Sequence, residues 1–262
     1  MSPADEAFTS NLLLNALASS DLALLEPHLT RVTLHRAMVL SRANELIEAV
    51  YFLENGIASI VSNRPDSGRT EVGIFGFEGM SGTSLVMGVD RSPHETFIQV
   101  DGGTALRIER GQLQEAMALS PSLAKMLLAY AHVMMVQSAA CAVGNAHHQI
   151  EARLARWLLM CHDRVEGDEI HLTHDFMAMM IASQRSGVTI TLHVLEGIGA
   201  IRSKRGRVIV RDRAKLEDLA GDAYGEPEGE YRRLIAPFGR KGVVIQFAEN
   251  DRQQDREGGS SE

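Results

Sequence analysis

The pattern of hydrophobic and polar positions divides the first part of this chain of 262 residues into a short helical segment and a longer β segment. Residues 5–26 repeat leucine at helical spacing, which predicts an N-terminal helix. From Pro27 to about Arg110, apolar and polar residues alternate between turn signals, which predicts short strands. The predicted strands lie in the segments VTLHRAMVLSRA, AVYFLENGIASIVSN, TEVGIFGFEGMSG and TFIQVDGGTALRI. Strands at this spacing are typical of a β-roll or barrel.

A long helix is predicted after these strands. Ser120 is a suitable N-cap and Pro121 a suitable first helical residue, and the apolar pattern then continues to about Gly144, over roughly 36 Å. One side of the helix carries a stripe of residues at three- and four-residue steps: Leu123, Met126, Leu127, Tyr130, Val133, Met134, Gln137, Ala140, Cys141 and Gly144. A stripe of this kind suits core packing. Because the helix stands alone between two domains, we expect it to form a dimer seam, with the small Ala139, Ala140 and Gly144 allowing close helix approach.

Residues 172–213 predict two short helices, a tight turn and a two-stranded ribbon. Thr173 is a suitable N-cap of the first helix, and Ala182-Ser183 should form the turn. The second helix should pack through Val188, Leu192 and Leu195 and end at the glycines 197 and 199. Two strands should then flank Lys204-Arg205-Gly206. This is the layout of a winged helix-turn-helix, which indicates a DNA-binding regulator.

Charge supports this interpretation. The whole chain carries a net charge of −8, but residues 184–213 hold seven basic residues against two acidic ones. A local basic patch on an acidic body is what neutralisation of DNA phosphates requires. The side chains expected to contact DNA are Thr173, Gln184, Arg185, Ser186, Thr189, His193, Arg202, Lys204, Arg205 and Arg207.

Composition sets further limits. No run of about 18 apolar residues and no basic region followed by an apolar one is present, so we expect neither a membrane span nor a secretory signal. Cys141 and Cys161 are too few for a disulfide framework or a cysteine-ligated cluster. We therefore expect a cytoplasmic protein. Since the chain shows no nucleophile elbow and no phosphate-binding glycine motif, we expect neither an enzyme nor a bound cofactor.

The order of these parts resembles the family of the cyclic-AMP receptor protein and FNR-type regulators. Phe52-Leu53-Glu54-Asn55-Gly56 resembles the early part of that family's β-roll, and Val143-Gly144-Asn145 followed by residues 150–155 resembles its hinge and following helix. Residues 173–210 resemble its DNA-binding element. The resemblance covers residues from about 20 to 220. It implies an α+β fold with an N-terminal β-roll of the jelly-roll type, a dimerisation helix and a C-terminal winged helix-turn-helix.

The resemblance also implies partners. These are double-stranded DNA with a palindromic operator, a second copy of the chain and an unknown small-molecule effector, with RNA polymerase as a further candidate. Arg185 aligns with the family's base-reading arginine and suits the guanine edge. Ser186 stands where the family has an acidic residue, and Thr189 or Ile190 stands where it has a basic one, so the family's operator sequence is not carried over.

The nucleotide site departs from the family further. The family's ribose-binding glutamate is missing from Gly82-Thr83-Ser84-Leu85. Its Arg-Ser pair aligns either with His94-Glu95 or, after a shift, with Arg91-Ser92, and its Thr-Ser pair becomes Ala139-Ala140. We therefore expect a roll that does not bind cyclic AMP. The candidate effector-pocket residues are Gly82, Thr83, Ser84, Arg91, Ser92 and His94.

Two other classes of function remain open. The first is a protein-interaction or sensor module with a degenerate ligand site, and the second is a small metal-dependent enzyme of the cupin type. The second is disfavoured because His94 lacks the paired histidine that such a site needs. Haem would need an axial ligand, for which His35, His94 or His132 could serve, and an iron–sulfur cluster is disfavoured because residues 1–50 hold no cysteine.

The predicted domains follow from these patterns. They are an N-terminal helix with the sensor roll (1–112), a dimerisation helix (113–144), a winged helix-turn-helix domain (145–220) and an acidic, partly disordered extension (221–262). In the extension, the acidic run 225–230 and residues 253–262 read as disordered. The apolar centre, RLIAPFGRKGVVIQF, could form a short strand on the wing domain or a docking segment.

Overall fold

The computed structural model describes residues 8–64, 68–99 and 103–240. The helices are α1 (Leu12–Asn15), α2 (Ser19–Leu25), α3 (Thr83–Val86), α4 (Arg110–Leu119), α5 (Pro121–His147), α6 (Ile150–His162), α7 (His174–Met180), α8 (Arg185–Gly197), α9 (Arg213–Ala220) and α10 (Glu226–Leu234). The strands are β1 (Thr30–Leu34), β2 (Val39–Ser41), β3 (Ala49–Leu53), β4 (Ala58–Arg64), β5 (Gly68–Phe75), β6 (Glu95–Ile98), β7 (Gly103–Glu109), β8 (Glu169–Ile170), β9 (Ile201–Lys204) and β10 (Arg207–Val210).

The first seven strands form the β-roll that the alternating pattern predicts. Two antiparallel sheets, ordered β1-β7-β3 and β2-β6-β4-β5, face each other. Their inward side chains, among them Leu34, Leu53, Phe75 and Ile98, are buried between the sheets. The α+β fold, with its roll, long helix and C-terminal winged helix-turn-helix, is confirmed.

Helix α5 begins where the sequence predicts, with Ser120 Oγ accepting a hydrogen bond from the Leu123 amide. The prediction that the stripe containing Tyr130 and Val133 forms a dimer seam is wrong, because these residues are buried within the single chain. Tyr130 and Val133 are 1% and 4% exposed within this single chain, and the Tyr130 hydroxyl donates to the carbonyl of Met80 in the roll. Gln137 accepts from the amide of Ile74 in β5. The stripe is therefore core, because the roll and the C-terminal segment both pack on it.

A different side of α5 is left uncovered. By length and composition alone, α5 is a helix that could cross a membrane, with a mean hydropathy of 1.6 over its most apolar window, and only 33% of that window is buried. Six of its exposed positions recur at alternating steps of four and three residues: Leu128, His132, Met135, Ala139, Ala142 and Ala146. We call this set the outer stripe. Alternating steps of four and three residues are the pattern of a helix–helix seam.

Residues 226–234 form helix α10, where the sequence predicts disorder. Pro227 stands in the first turn, where its missing amide hydrogen costs nothing, and Tyr231 packs among residues of the roll and of α5. The Tyr231 hydroxyl donates to the carbonyl of Glu78 at 2.7 Å. Tertiary burial of this tyrosine outweighs the polar composition of the segment. The predicted disorder at 253–262 and the end of the apolar centre lie outside the described residues.

The DNA-binding domain packs directly on the roll. Phe176 of α7 meets Phe97 of β6 edge to face, with ring centroids 6.4 Å apart. Trp157 of α6 donates its indole N–H to Glu71 Oε1 of β5 at 2.8 Å. The other carboxylate oxygen of Glu71 contacts Ser59 Oγ at 3.0 Å. Burial raises the pKa of Glu71 to about 8. The joint between the two domains thus contains a carboxyl group that is protonated at neutral pH.

A buried ion pair joins three parts of the chain at one point. Arg164, just after α6, pairs with Glu78 of the roll at 2.7 Å, and both side chains are 3% exposed. The Arg164 guanidinium also donates to the carbonyl of Met160 in the DNA-binding domain and lies over the Phe238 ring of the C-terminal segment. Glu78 additionally accepts from the amide of Gly76.

Arg164→Met should therefore destabilise the protein strongly. The change leaves the Glu78 carboxylate buried without its partner, for which a cost of about 3–5 kcal/mol is expected. Urea denaturation followed by tryptophan fluorescence measures this loss. The double variant Arg164→Met/Glu78→Gln should recover most of it, since a neutral amide can still accept from Gly76. A double variant as unstable as the single one would show that the charge is not what matters.

Glu71→Gln should change how stability depends on pH. The folded protein holds a proton on Glu71 up to about pH 8, whereas the unfolded chain releases this proton near pH 4.5. The free energy of unfolding therefore decreases as the pH rises between these two values. Each pKa unit corresponds to about 1.4 kcal/mol, so the expected loss is a few kcal/mol. Glutamine keeps the hydrogen bonds and cannot ionise, so the variant should lose much of this decline and be more stable than the parent at pH 8.

Thermal or urea unfolding at several pH values between 5 and 8.5 measures the decline. The matched control is Glu115→Gln, because Glu115 is exposed on α4. The control should keep the parent profile. Parallel profiles for the parent and Glu71→Gln would contradict a proton held at Glu71.

Candidate nucleic-acid interface and effector cavity

The helix-turn-helix forms as its local sequence predicts. Thr173 Oγ1 accepts from the amide of Phe176 and caps α7. Ala182 then takes a left-handed conformation (φ 48°), and the Ser183 amide donates to the carbonyl of Ala178, which makes the turn tight. Helix α8 begins at Arg185 and buries Val188 and its neighbours at helical spacing against the domain core. Its opposite side is solvent-exposed and can enter a DNA groove.

Several of the expected DNA-contacting side chains lie on this exposed side of α8. Arg185 is 67% exposed, as is Asp175, whose carboxylate lies 3.2 Å from the guanidinium of Arg185. Gln184, Ser186 and His193 are also exposed. Such an exposed ion pair contributes little to stability, so Arg185 can exchange Asp175 for a base edge at low cost.

Two of the expected contacts are engaged elsewhere. Thr173 acts as a helix cap, and Thr189 is half-buried, with its hydroxyl donating to the carbonyl of Arg185 and its oxygen 3.0 Å from His174 Nδ1. Both can still face a phosphate, but their hydrogen-bonding capacity is partly used within the protein.

Ile190 and Val194 are two further candidates on α8, outside the set of DNA-contacting residues expected from the sequence. Ile190 is 64% and Val194 is 44% exposed, so both side chains of α8 reach solvent. Exposed aliphatic side chains on a helix that enters the major groove suit the methyl group of thymine. Ile190 and Val194 stand four residues apart and do not belong to the buried set of α8, and this spacing could have identified them from the sequence.

The wing is a hairpin of β9 and β10, with β8 added as a third strand that the sequence did not predict. Gly206 takes φ 77° at its tip, a conformation that glycine adopts readily. Arg202, Lys204 and Arg205 are exposed beside this tip. Arg207 instead binds Glu169 of β8 at 2.8 Å, so it braces the wing and holds the pKa of Glu169 below its usual range.

A cavity of about 440 Å³ opens between the roll and α5. Five of the six candidate effector-pocket residues line it, namely Gly82, Thr83, Ser84, Ser92 and His94. The α5 side is formed by Ala131, Met134, Met135 and Ser138. The remaining lining residues are Ser41, Ile47, Ile60, Met80, Met87, Pro93 and Thr96.

Arg91 does not line this cavity. Its guanidinium donates to the carbonyl of Asn44 at 3.0 Å and lies 3.9 Å from the carboxylate of Asp90. One alignment gives Arg91 the role of the family's phosphate-binding arginine. In the structure, its side chain is turned toward the loop that carries Asn44. Among the described residues that line the cavity, none is a lysine, an arginine or a carboxylate.

Comparison with known proteins agrees with this geometry. Residues 152–219 match the family model of the Crp-like helix-turn-helix domain. No curated protein sequence matches the chain significantly. The matched segment contains α7, the turn, α8 and the wing, which are the parts that form the exposed basic surface.

Solved structures share most of this fold at low sequence identity. A protein from Eubacterium rectale assigned to the Crp/Fnr family of transcriptional regulators superposes with a TM-score of 0.62 at 17% identity, over 79% of this chain and 97% of its own. FixK2 from Bradyrhizobium japonicum gives 0.62 at 17% identity, over 74% and 98%. The c-di-GMP-responsive regulator CLP from Xanthomonas campestris gives 0.60 at 15% identity, over 74% and 99%.

The exposed recognition helix, the basic wing and the domain match together define a transcription regulator that binds DNA through a Crp-like helix-turn-helix. Its roll has the cyclic-nucleotide-binding type of fold. Residues 152–219 form a Crp-like helix-turn-helix domain, and most of the chain shares the fold of solved Crp/Fnr-family structures.

Proposed function

We propose that this regulator is a homodimer that reads a two-fold symmetric operator and responds to a small molecule held in the cavity of its roll. The observation that carries the proposal is the joint presence of an exposed recognition helix and an uncovered seam on α5 in one chain. Two-fold dimers present two recognition helices one helical turn of DNA apart. As a DNA-binding regulator it acts in the cytoplasm, where RNA polymerase is a further candidate partner.

Base reading is assigned to the exposed side of α8. Arg185, at the first turn of the helix, can make the bidentate contact to guanine that its planar fork favours. Ile190 follows five residues later with its side chain in solvent. The wing residues Lys204 and Arg205 lie apart from α8 and suit phosphates, since they offer charge on an exposed turn.

Arg185→Ala should relax the preference for one base pair in each half-site, at about 1–3 kcal/mol per lost contact. Selection of bound DNA from a random pool, followed by sequencing, measures the preference position by position. Lys204→Ala is the matched control, because it removes an exposed cation outside the recognition helix. It should weaken binding to all sequences alike and reduce the salt dependence.

An unchanged base preference for Arg185→Ala would remove it as a base reader. A loss at a single base position for Lys204→Ala would contradict its phosphate role.

Dimerisation is assigned to the outer stripe of α5. Leu128 and Met135 are 47% and 62% exposed and stand one heptad apart. From Ala139 onward the stripe carries only alanine, which allows two helices to approach closely along their last two turns. A two-fold pair of α5 helices would cover these apolar side chains and remove the exposed apolar surface of the single chain.

Leu128→Asp/Met135→Asp should yield monomers, because a two-fold axis would bring like carboxylates together in a desolvated seam. Sedimentation velocity measures the mass, and operator affinity should fall at least tenfold in a gel-shift assay. Leu119→Asp is the matched control, since Leu119 is 67% exposed and lies outside the stripe. A double variant that stays dimeric, or a control that also dissociates, would contradict this seam.

The effector is not expected to be cyclic AMP. The roll lacks the ribose-binding glutamate, and Arg91 is held by the loop that carries Asn44. Each lost charge-assisted contact is worth about 1.5–3 kcal/mol, which weakens a micromolar site toward the millimolar range.

A further inference from the structure

The lining of the roll cavity points to a specific class of ligand. The cavity has a volume of about 440 Å³, which suits a small organic molecule. Half of its lining side chains are apolar, with the thioethers of Met80, Met87 and Met134 on different elements around it. Methionine adapts its shape to irregular apolar ligands.

The polar groups of the cavity are almost all hydroxyls. Thr83, Ser84 and Ser92 stand on the loop side, and Ser138 stands on the α5 side, where its hydroxyl donates to backbone carbonyls and can only accept from a ligand. His94 is the one titratable side chain among the described lining residues. Hydroxyls can donate or accept and so orient a carbonyl or a hydroxyl group. They do not balance a formal charge that is removed from water.

The arginines at positions 69, 91 and 110 make their contacts with groups that do not line the cavity. Arg91 is held at Asn44, and Arg69 pairs with Glu95 at 2.5 Å and lies over the Phe97 ring. Arg110 lies 3.9 Å from Asp90. A phosphate or carboxylate in the cavity would therefore meet no lysine or arginine among the described lining residues.

We infer that the roll cavity binds an uncharged, predominantly apolar small molecule that is oriented by hydroxyl groups, and not an anionic nucleotide. This deepens the proposed function, because it rests on the roll acting as a sensor. The ligand would touch Met134 and Met135 of α5, and Met135 belongs to the outer stripe. Occupancy of the cavity would thus act on the proposed seam directly.

Two fluorescent probes of one skeleton test the charge preference. N-phenyl-1-naphthylamine is neutral, and 8-anilino-1-naphthalenesulfonate carries a sulfonate on the same rings. Titration of the full-length protein should give a dissociation constant at least tenfold lower for the neutral probe. Equal or tighter binding of the sulfonate would overturn the inference, as would displacement of the neutral probe by micromolar cyclic AMP.

Two cavity variants locate the probe. Ala131→Phe should fill the cavity and weaken binding of the neutral probe at least tenfold, whereas Ala118→Phe, on the exposed side of α4, should leave it unchanged. Ser84→Arg places a cation in the cavity and should reverse the preference toward the sulfonate. Its control, Ser20→Arg on exposed α2, should not. Neutral-probe binding that neither cavity variant alters would place the probe elsewhere and refute the inference.

A DNA-binding measurement separates this inference from the proposed function. If the neutral probe binds in the cavity and operator affinity is unchanged, the cavity chemistry is supported and the sensor role fails. If operator DNA is bound normally but the neutral probe does not enter the cavity, the proposed DNA-binding function is supported and the inference about the cavity is refuted.

Discussion

The arrangement of the whole molecule depends on the buried ion pair of Arg164 with Glu78. Both side chains are 3% exposed, so their charges can be tolerated only while they are paired and hydrogen-bonded. The pair fixes the end of α6 against the roll, and the Phe238 ring covers it from the C-terminal side. Since Tyr231 also donates to the Glu78 backbone, α10 is held at the same point. The roll, the DNA-binding domain and the C-terminal segment therefore meet around one charge.

Helix α5 has two apolar sides. The inner side, with Tyr130 and Val133, is covered by the roll and by the segment that contains α10. The outer stripe is exposed, and within it His132 Nε2 lies 3.0 Å from Glu230 Oε1 of α10. The inner side packs in the core of the single chain, and the outer stripe would pack in a dimer. A helix that serves both purposes is apolar over most of its circumference. The same property makes its composition similar to that of a membrane-spanning helix.

The sequence predicts some parts of this structure well and others poorly, for physical reasons. The helix-turn-helix and wing follow from short-range signals, such as the Thr173 cap and Gly206 at the wing tip, so their positions are predictable. The strands of the roll are predictable from alternation. The dimer seam is not, because a stripe such as that of Tyr130 does not reveal whether its partner is the same chain or another. Helix α10 is missed because burial of Tyr231 is a tertiary effect that local composition does not show.

The cavity was only partly predictable for a similar reason. The turn at Gly82 and the loop at His94 identify one wall, but the direction of Arg91 depends on its bond to the carbonyl of Asn44, which is distant in sequence. The opposite wall belongs to α5, and α5 is bound to β5 by Ser138, which donates to the carbonyl of Val72, and by Gln137, which accepts from Ile74. Strand β5 in turn carries Glu71, which accepts from Trp157 of the DNA-binding domain. A continuous set of contacts therefore runs from the α5 wall of the cavity through β5 to α6 of the DNA-binding domain.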